Sequence, residues 1–356
     1  MAAMQLARRR PTAAARRRPL LALATLVTVV TLAPTACQLP GQAPSNDVVT
    51  PSQAVKVVRD YWKVNEQALV AQDADLFAKI QSGPLLEADV ADTRSARAAG
   101  DPAPKSPRPL RNVTAFVPHQ QGYPAQFVAL VETVKLDASG NLGKDATGLY
   151  HHFVKQSDGA PWKADFAAVA GVDHLVRFAQ GRDGYTALLS KTGRYVLDPK
   201  QLPGSLARYL NSGVNSGSPE GPFAPGHLTT DAVSTLRRYR DSMGKLGYTI
   251  DLSYQPMDFL AVYQGADGEA IVLFGLQASN NVGVPDPSHC IVQPKDNLHR
   301  WGGLVPPGSY LHLVEGRLLQ FVASDPTNKP GAAVDVPAYA ESQVSAATTP
   351  ASPACH

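Results

Sequence analysis

A histidine on a predicted strand is the side chain best placed to do chemistry in this sequence. His151 alternates with Leu149 and Phe153, so a strand would point it to an apolar face and its neighbour His152 to the opposite face. A histidine inside a pocket could act as a general base or contact a ligand. A hydrogen-bonded structural histidine is the alternative interpretation. Because adjacent strand residues point apart, the two histidines are not expected to bind one metal ion.

Aromatic residues on a predicted helix could complete such a pocket. Tyr61 and Trp62 lie on a helix whose start is indicated by Thr50-Pro51-Ser52-Gln53, a capping box with proline at the first helical position. Such aromatics more often pack a core than line a pocket. The possible pocket residues are therefore His151, Tyr61 and Trp62.

Short catalytic motifs favour no enzyme class. The sequence contains S-x-x-K at Ser242–Lys245, K-T-G at Lys191–Gly193 and S-x-N at Ser279–Asn281, but in a different chain order from the penicillin-binding enzymes. It contains no nucleophile elbow, phosphate-binding loop or zinc-protease motif. We therefore predict no catalytic residue, no cofactor and no metal site.

The net charge reflects the N-terminus rather than a nucleic-acid partner. The chain has 356 residues with 33 Lys and Arg against 30 Asp and Glu, a formal charge of +3. Residues 1–36 contain six arginines and no acidic residue, so 27 basic residues remain against 30 acidic ones, about −3. This balance excludes a general nucleic-acid-binding role for the rest of the chain.

The first 36 residues have the pattern of a bacterial export signal. The arginines precede an apolar run of 13 residues, Leu20–Leu32, which is shorter than the roughly 20 residues of a membrane-spanning helix. Thr35-Ala36-Cys37 then resembles a lipobox, although Pro34 replaces the usual leucine. We predict lipidation of Cys37 and a membrane partner through that anchor; ordinary cleavage with secretion and an uncleaved anchor are the alternatives.

The two remaining cysteines, Cys290 and Cys355, are predicted to form a disulfide. An exported protein meets an oxidising environment, and closing this loop would stabilise the fold by roughly 4 kcal/mol in the chain-entropy model. The two alternatives are that the cysteines are unpaired thiols, or that they form a zinc site with the adjacent His289 and His356.

The order of predicted elements indicates an α+β fold in two tandem domains. Helices are followed by an antiparallel meander, and the second half repeats that plan. A hairpin turn at Glu315-Gly316 is predicted in the second half. The predicted organisation is a signal peptide at 1–36, a tether at 37–50, domains at 51–170 and 184–325, and a disordered tail at 326–356.

Three segments carry a family resemblance. The helix Val58–Phe77, the segment Ser82–Asp89 and the strand pair Phe116–Leu130 resemble an uncharacterised family of actinobacterial exported lipoproteins. The element order also resembles the nuclear transport factor two-like, or cystatin-type, cone, in which helices are wrapped by a curved antiparallel sheet. This resemblance implies a fold and a location, and no catalytic residues.

We expect a non-catalytic binding or scaffolding module at the outer face of the cell membrane, with an unknown protein or small-molecule partner. The competing hypothesis is a pocket-based enzyme of the hydrolase or isomerase type. Two cones filled by their own side chains would contradict the enzyme. An open pocket faced by His151 or an aspartate would contradict the non-catalytic role.

Lipidation of Cys37 predicts that the chain becomes labelled when cells are fed a radioactive fatty acid, and that Cys37→Ala abolishes the label because the modified sulfur is gone. Cys290→Ala is the matched control and should keep it. A label that survives in the Cys37→Ala variant would refute lipidation at this position.

Overall fold

A computed structural model of the chain describes residues 47–104, 108–136, 142–189, 194–286, 288–293 and 304–351. The predicted signal peptide, Cys37 and Cys355 lie outside these residues. Asp47–His356 forms one compact unit.

Five α-helices are present among the described residues, and the first begins as the sequence predicts. The backbone N–H of Gln53 donates to Thr50 Oγ1 at 3.3 Å, while the Thr50 N–H donates to Gln53 Oε1 at 2.8 Å. This reciprocal pair is the predicted capping box. The helices are α1 Pro51–Ala71, α2 Ala74–Ile80, α3 Gly83–Ala99, α4 Leu202–Ser216 and α5 Thr230–Lys245.

The described strands form one antiparallel sheet, which confirms the α+β class. Its order is β1-β2-β3-β4-β9-β8-β6-β5, with β7 paired to β8. The strands are β1 Leu110–Phe116, β2 Ala125–Leu136, β3 Leu142–Lys155, β4 Lys163–Gly171, β5 Thr249–Gln264, β6 Ala270–Gly283, β7 Ile291–Gln293, β8 Gly308–Asp325 and β9 Asp335–Pro350.

The two predicted domains are two halves of one structure, which corrects the boundary drawn between 170 and 184. Each half has the expected helices followed by strands, but β4 of the first half pairs with β9 of the second. β4 and β9 pair at two positions, Val169 with Tyr339 and Ala170 with Ala338. The halves therefore share a sheet and cannot be separated without breaking its backbone hydrogen bonds.

Both faces of this sheet are buried because it folds back on itself. On one face, Phe127 packs with the first-half helices and Phe274 with α4. On the other face, the His152 ring lies 5.5 Å from that of Phe259 although β3 and β5 are far apart in the strand order. The layers are helices, first-half strands, second-half strands and helices.

The prediction of a disordered tail at 326–356 is wrong for Asp335–Pro350. This segment is β9, and it pairs with β8 along most of its length as well as with β4. Its alanines, serines and threonines gave no strong hydrophobic pattern. The strand forms nevertheless because β8 satisfies one side of its backbone along most of its length, β4 adds two residue pairs on the other side, and small residues such as Ala338 fit the buried interior.

The predicted hairpin at Glu315-Gly316 is also wrong. Both residues lie inside the continuous strand β8, where Gly316 pairs with Ser279. A side chain at Gly316 would collide with the Ser345 hydroxyl on β9, so the glycine permits close approach of two strands instead of a turn.

No described helix is both long enough and apolar enough to cross a membrane.

If β9 is a structural strand, a charge placed at its buried centre should destabilise the protein. We expect Ala338→Asp to lower the free energy of unfolding by at least about 3 kcal/mol, because Ala338 is fully buried and the carboxylate would have no partner. Ala347→Asp, on an exposed position of the same strand, should change it by less than about 0.5 kcal/mol. Urea unfolding measures both, and equal small effects would indicate a dispensable tail.

Candidate functional site

A cavity of about 590 Å³ lies between the helices of the first half and the sheet. Its walls come from α1, α3, β3, β4, Gln320 of β8, Arg108 and the part of β9 that begins at Tyr339, in the two-pair junction with β4. Beyond that junction the strands separate, and the backbone N–H of Ala167 donates to the Gln320 side chain at 3.1 Å. The cavity therefore opens where the sheet lacks a continuous strand pair.

His151 faces this cavity from the middle of β3. Its neighbours in the sheet are Ala129 and Ala167, whose small side chains leave room beside the imidazole. The ring is 3% exposed and lies 5.4 Å from the Tyr61 ring and 6.3 Å from that of Trp62. The structure thus brings together the three pocket residues that the sequence predicts.

The protonation state of His151 follows from its surroundings. Burial, reinforced by the positive charge of Arg108, lowers the pKa of His151 to about 4. The imidazole is therefore neutral at neutral pH. Its Nδ1 is buried, and no donor or acceptor among the described residues meets hydrogen-bond geometry with it, while the Leu149 backbone opposes part of the shift in the His151 pKa.

A hydrogen-bond network centred on Gln81 connects α1 with α3. The Gln81 side-chain amide is within hydrogen-bond distance of Tyr61 Oη (3.1 Å), Asn65 Oδ1 (3.2 Å) and Asp89 Oδ2 (2.6 Å). The Tyr61 hydroxyl in turn donates to Asn65 Oδ1 at 3.3 Å. Burial, with the nearby Asp89, raises the pKa of Tyr61 above its usual value, so the phenol remains protonated.

Asp89 is the titratable carboxyl of this network. Burial raises its pKa to about 6, the hydrogen bond from Gln81 opposes this shift, and the neighbouring Asp92 adds to it. Asp92, one turn along α3, accepts a hydrogen bond from Ser342 Oγ of β9 at 3.0 Å. The two carboxyls therefore lie on the cavity side of the same helix.

The positive charge at the cavity, Arg108, is already paired. Its guanidinium binds the buried carboxylate of Glu66 at 2.8 and 3.1 Å and lies 5.1 Å from the centre of the Trp62 ring. The Trp62 Nε1–H donates to the Arg108 carbonyl at 3.1 Å, which fixes the indole. This arrangement holds the cavity wall and leaves the Arg108 charge compensated.

The sequence did not single out the acidic residues of the site, although a signal was present. Leu85, Ala88, Asp89 and Asp92 follow the i, i+3, i+4, i+7 pattern, which puts two acids on an otherwise apolar helix face. Gln81 and Ser342 lie outside any periodic pattern that marks a site.

The second predicted histidine has a structural environment. His152, on the opposite face of β3, places Nδ1 2.6 Å from Asp165 Oδ1 and Nε2 3.0 Å from Gln126 Oε1. Both ring nitrogens are thus partnered. The described part of the chain contains no group of three or more His, Cys, Asp or Glu side chains that could hold a metal ion.

The comparison with known proteins gives a family and no activity. The family described as a domain of unknown function, DUF8094, matches residues 45–348. Neither a curated protein nor a solved structure matches the chain.

The raised pKa of Asp89 predicts a cost in stability that appears as pH rises. The folded state binds its proton more tightly than the unfolded chain, whose aspartates titrate near pKa 3.9, so stability from this group is lost as pH rises to about 6. We expect Asp89→Asn to gain about 1–3 kcal/mol of unfolding free energy relative to wild type between about pH 4 and pH 7. Denaturant titrations at each pH measure this change.

Glu87→Gln is the matched control for this prediction because Glu87 is exposed on the same helix. Its difference from wild type should stay constant over the same pH range. A constant difference for Asp89→Asn as well would show that Asp89 has an ordinary pKa.

Proposed function

Because the chain belongs to the DUF8094 family, whose description assigns no activity, we propose its function from the cavity geometry: the protein binds a small molecule between α1, α3 and the sheet. The volume of about 590 Å³ is within the range of small-molecule sites, roughly 300–1,000 Å³.

The observation that carries this proposal is the buried, unpartnered Nδ1 of His151 at the cavity wall. An apolar side chain that filled the space beside it would remove the cavity that His151 and Asp89 both line. Instead, the fold keeps a polar atom without a partner and a carboxyl with a raised pKa, and both are costly for stability. Such costs are typical of residues retained for a ligand.

This geometry changes the expectation that the sequence favoured. An open cavity faced by His151 and Asp89 is the geometry expected to contradict a non-catalytic role, and it counts against a scaffold whose cores are filled by their own side chains. Both a binding module and an enzyme must bind a small molecule, so ligand binding is the function proposed first. We therefore favour ligand binding over scaffolding. We retain the proposed location at the outer face of the cell membrane. It is supported by the export-signal pattern, an arginine cluster followed by an apolar run, and by Cys37.

Acid–base catalysis in the same cavity is the second candidate function. It is favoured by Asp89, whose raised pKa of about 6 is close to the value that suits a general base near neutral pH. The neutral imidazole of His151 could hydrogen-bond the substrate. This candidate corresponds to the hydrolase or isomerase type of enzyme.

We also propose the Cys290–Cys355 disulfide on the basis of strand geometry. Tyr310 of β8 pairs with Ile291 of β7 and with Pro350 of β9, so the chain next to Cys290 and the end of β9 lie near one residue. Cys355 follows Pro350 by five positions.

Ligand binding is tested with three probes of similar size and different charge: benzylamine, benzyl alcohol and benzoate. We expect at least one to shift the backbone amide resonances of cavity residues, including Ala167, and Ala340→Phe to abolish these shifts by filling the cavity. Ala347→Phe, on an exposed part of the same strand, should leave them unchanged. Failure of all three probes to shift the cavity amides would contradict the proposed function.

The enzyme candidate is tested with 5-nitrobenzisoxazole, which opens when a base removes its ring proton. If Asp89 is a general base, the rate above background should rise with pH through about 6 and fall at least about tenfold in Asp89→Asn, while Glu87→Gln remains active. Equal rates in wild type and Asp89→Asn would contradict the enzyme candidate and leave the binding proposal in place.

A further inference from the structure

We propose that the ligand of this cavity is an organic cation, a protonated amine whose ammonium group lies between the carboxyls of Asp89 and Asp92. This inference rests on the proposed function and specifies the ligand class of the same site.

The first argument is the balance of charge at the cavity. Arg108 is paired with Glu66, and Glu341 shares Arg317 with Glu315: the Nη1 of Arg317 lies 2.6 Å from Glu341 and its Nη2 lies 3.3 Å from Glu315. Asp89 and Asp92 remain, and the hydrogen bonds they receive come from an amide and a hydroxyl, both neutral. Among the described residues that line this cavity, the uncompensated charge is therefore negative.

The second argument is the unpartnered Nδ1 of the buried His151. Because the imidazole is neutral at neutral pH, it does not repel a cation, and it can hydrogen-bond a polar group of the ligand. An acidic pair alone is common on helix surfaces. An acidic pair that shares a cavity with a buried, unpartnered polar atom indicates a binding site.

The third argument concerns the other classes of ligand. An anion would meet two carboxyls and an arginine that is already paired, so its binding would be opposed by charge. A metal ion requires several oxygen or nitrogen ligands, and no group of three or more suitable side chains occurs in the described part of the chain. The aromatic rings of Tyr61 and Trp62 suit the carbon skeleton of an amine.

The ligand class is tested with the same three probes, titrated calorimetrically into the purified protein. We expect benzylamine to bind at least about tenfold more tightly than benzyl alcohol, and benzoate to bind more weakly than both, because only the ammonium gains from the carboxyl pair. Asp89→Asn should weaken benzylamine binding at least about tenfold and leave benzyl alcohol binding unchanged. Glu87→Gln should alter neither.

Acid should also weaken the binding of benzylamine. The groups that face Asp89 are Asp92 on α3, Tyr61 and Asn65 on α1, Gln81 and Arg108. Burial also raises the pKa of Asp92. Because the pKa of Asp89 is about 6, the affinity should fall as pH drops below that value.

Two results would overturn the ligand class. The first is that benzyl alcohol or benzoate binds in the cavity, as reported by the cavity amide resonances, as tightly as benzylamine does. The second is that the Asp89→Asn substitution leaves the affinity for benzylamine unchanged. Either result leaves the proposed function standing, whereas failure of all three probes contradicts that function itself.

Discussion

The backbone hydrogen bonds of β9 are the interaction on which the rest of the structure depends. They connect β9 to β8 along most of the strand and to β4 at two residue pairs, which turns two half-sheets into one. The same strand supplies a cavity wall, because Ser342 contacts Asp92 of α3. A segment of small polar residues can do this since its stability comes from its neighbours rather than from its own hydrophobicity.

The folding back of the sheet gives the two adjacent histidines different surroundings. Burial on one face places His152 among the aromatics between the two half-sheets, where Asp165 and Gln126 satisfy its ring. Burial on the other face places His151 beside the helices, where small neighbours on β2 and β4 leave space. A one-residue step along β3 thus separates a structural histidine from a candidate ligand contact.

Local sequence patterns predict much of this fold, but they do not predict the contacts between residues that are distant in the chain. The Thr50–Gln53 capping box and the order of helices and strands can be predicted from the sequence because they depend on neighbouring residues. Periodicity predicts the apolar strand face of His151 and the helix of Tyr61 and Trp62, while their meeting at one cavity is seen in the structure. The role of β9, the continuity of β8 through Gly316 and the Gln81 network depend on partners distant in the chain, and no local pattern encodes them.

The position of β9 as the last described strand also determines when the cavity can exist. The hydrogen bond between Ser342 and Asp92 joins residues 250 positions apart, so ordering this wall carries the entropic cost of a very long loop. A polypeptide emerging from a ribosome can form α1 to α3 early and still lack this wall. The proposed ligand binding thus requires β9 to be in place, and a nascent or truncated copy that lacks this strand would not form the complete cavity.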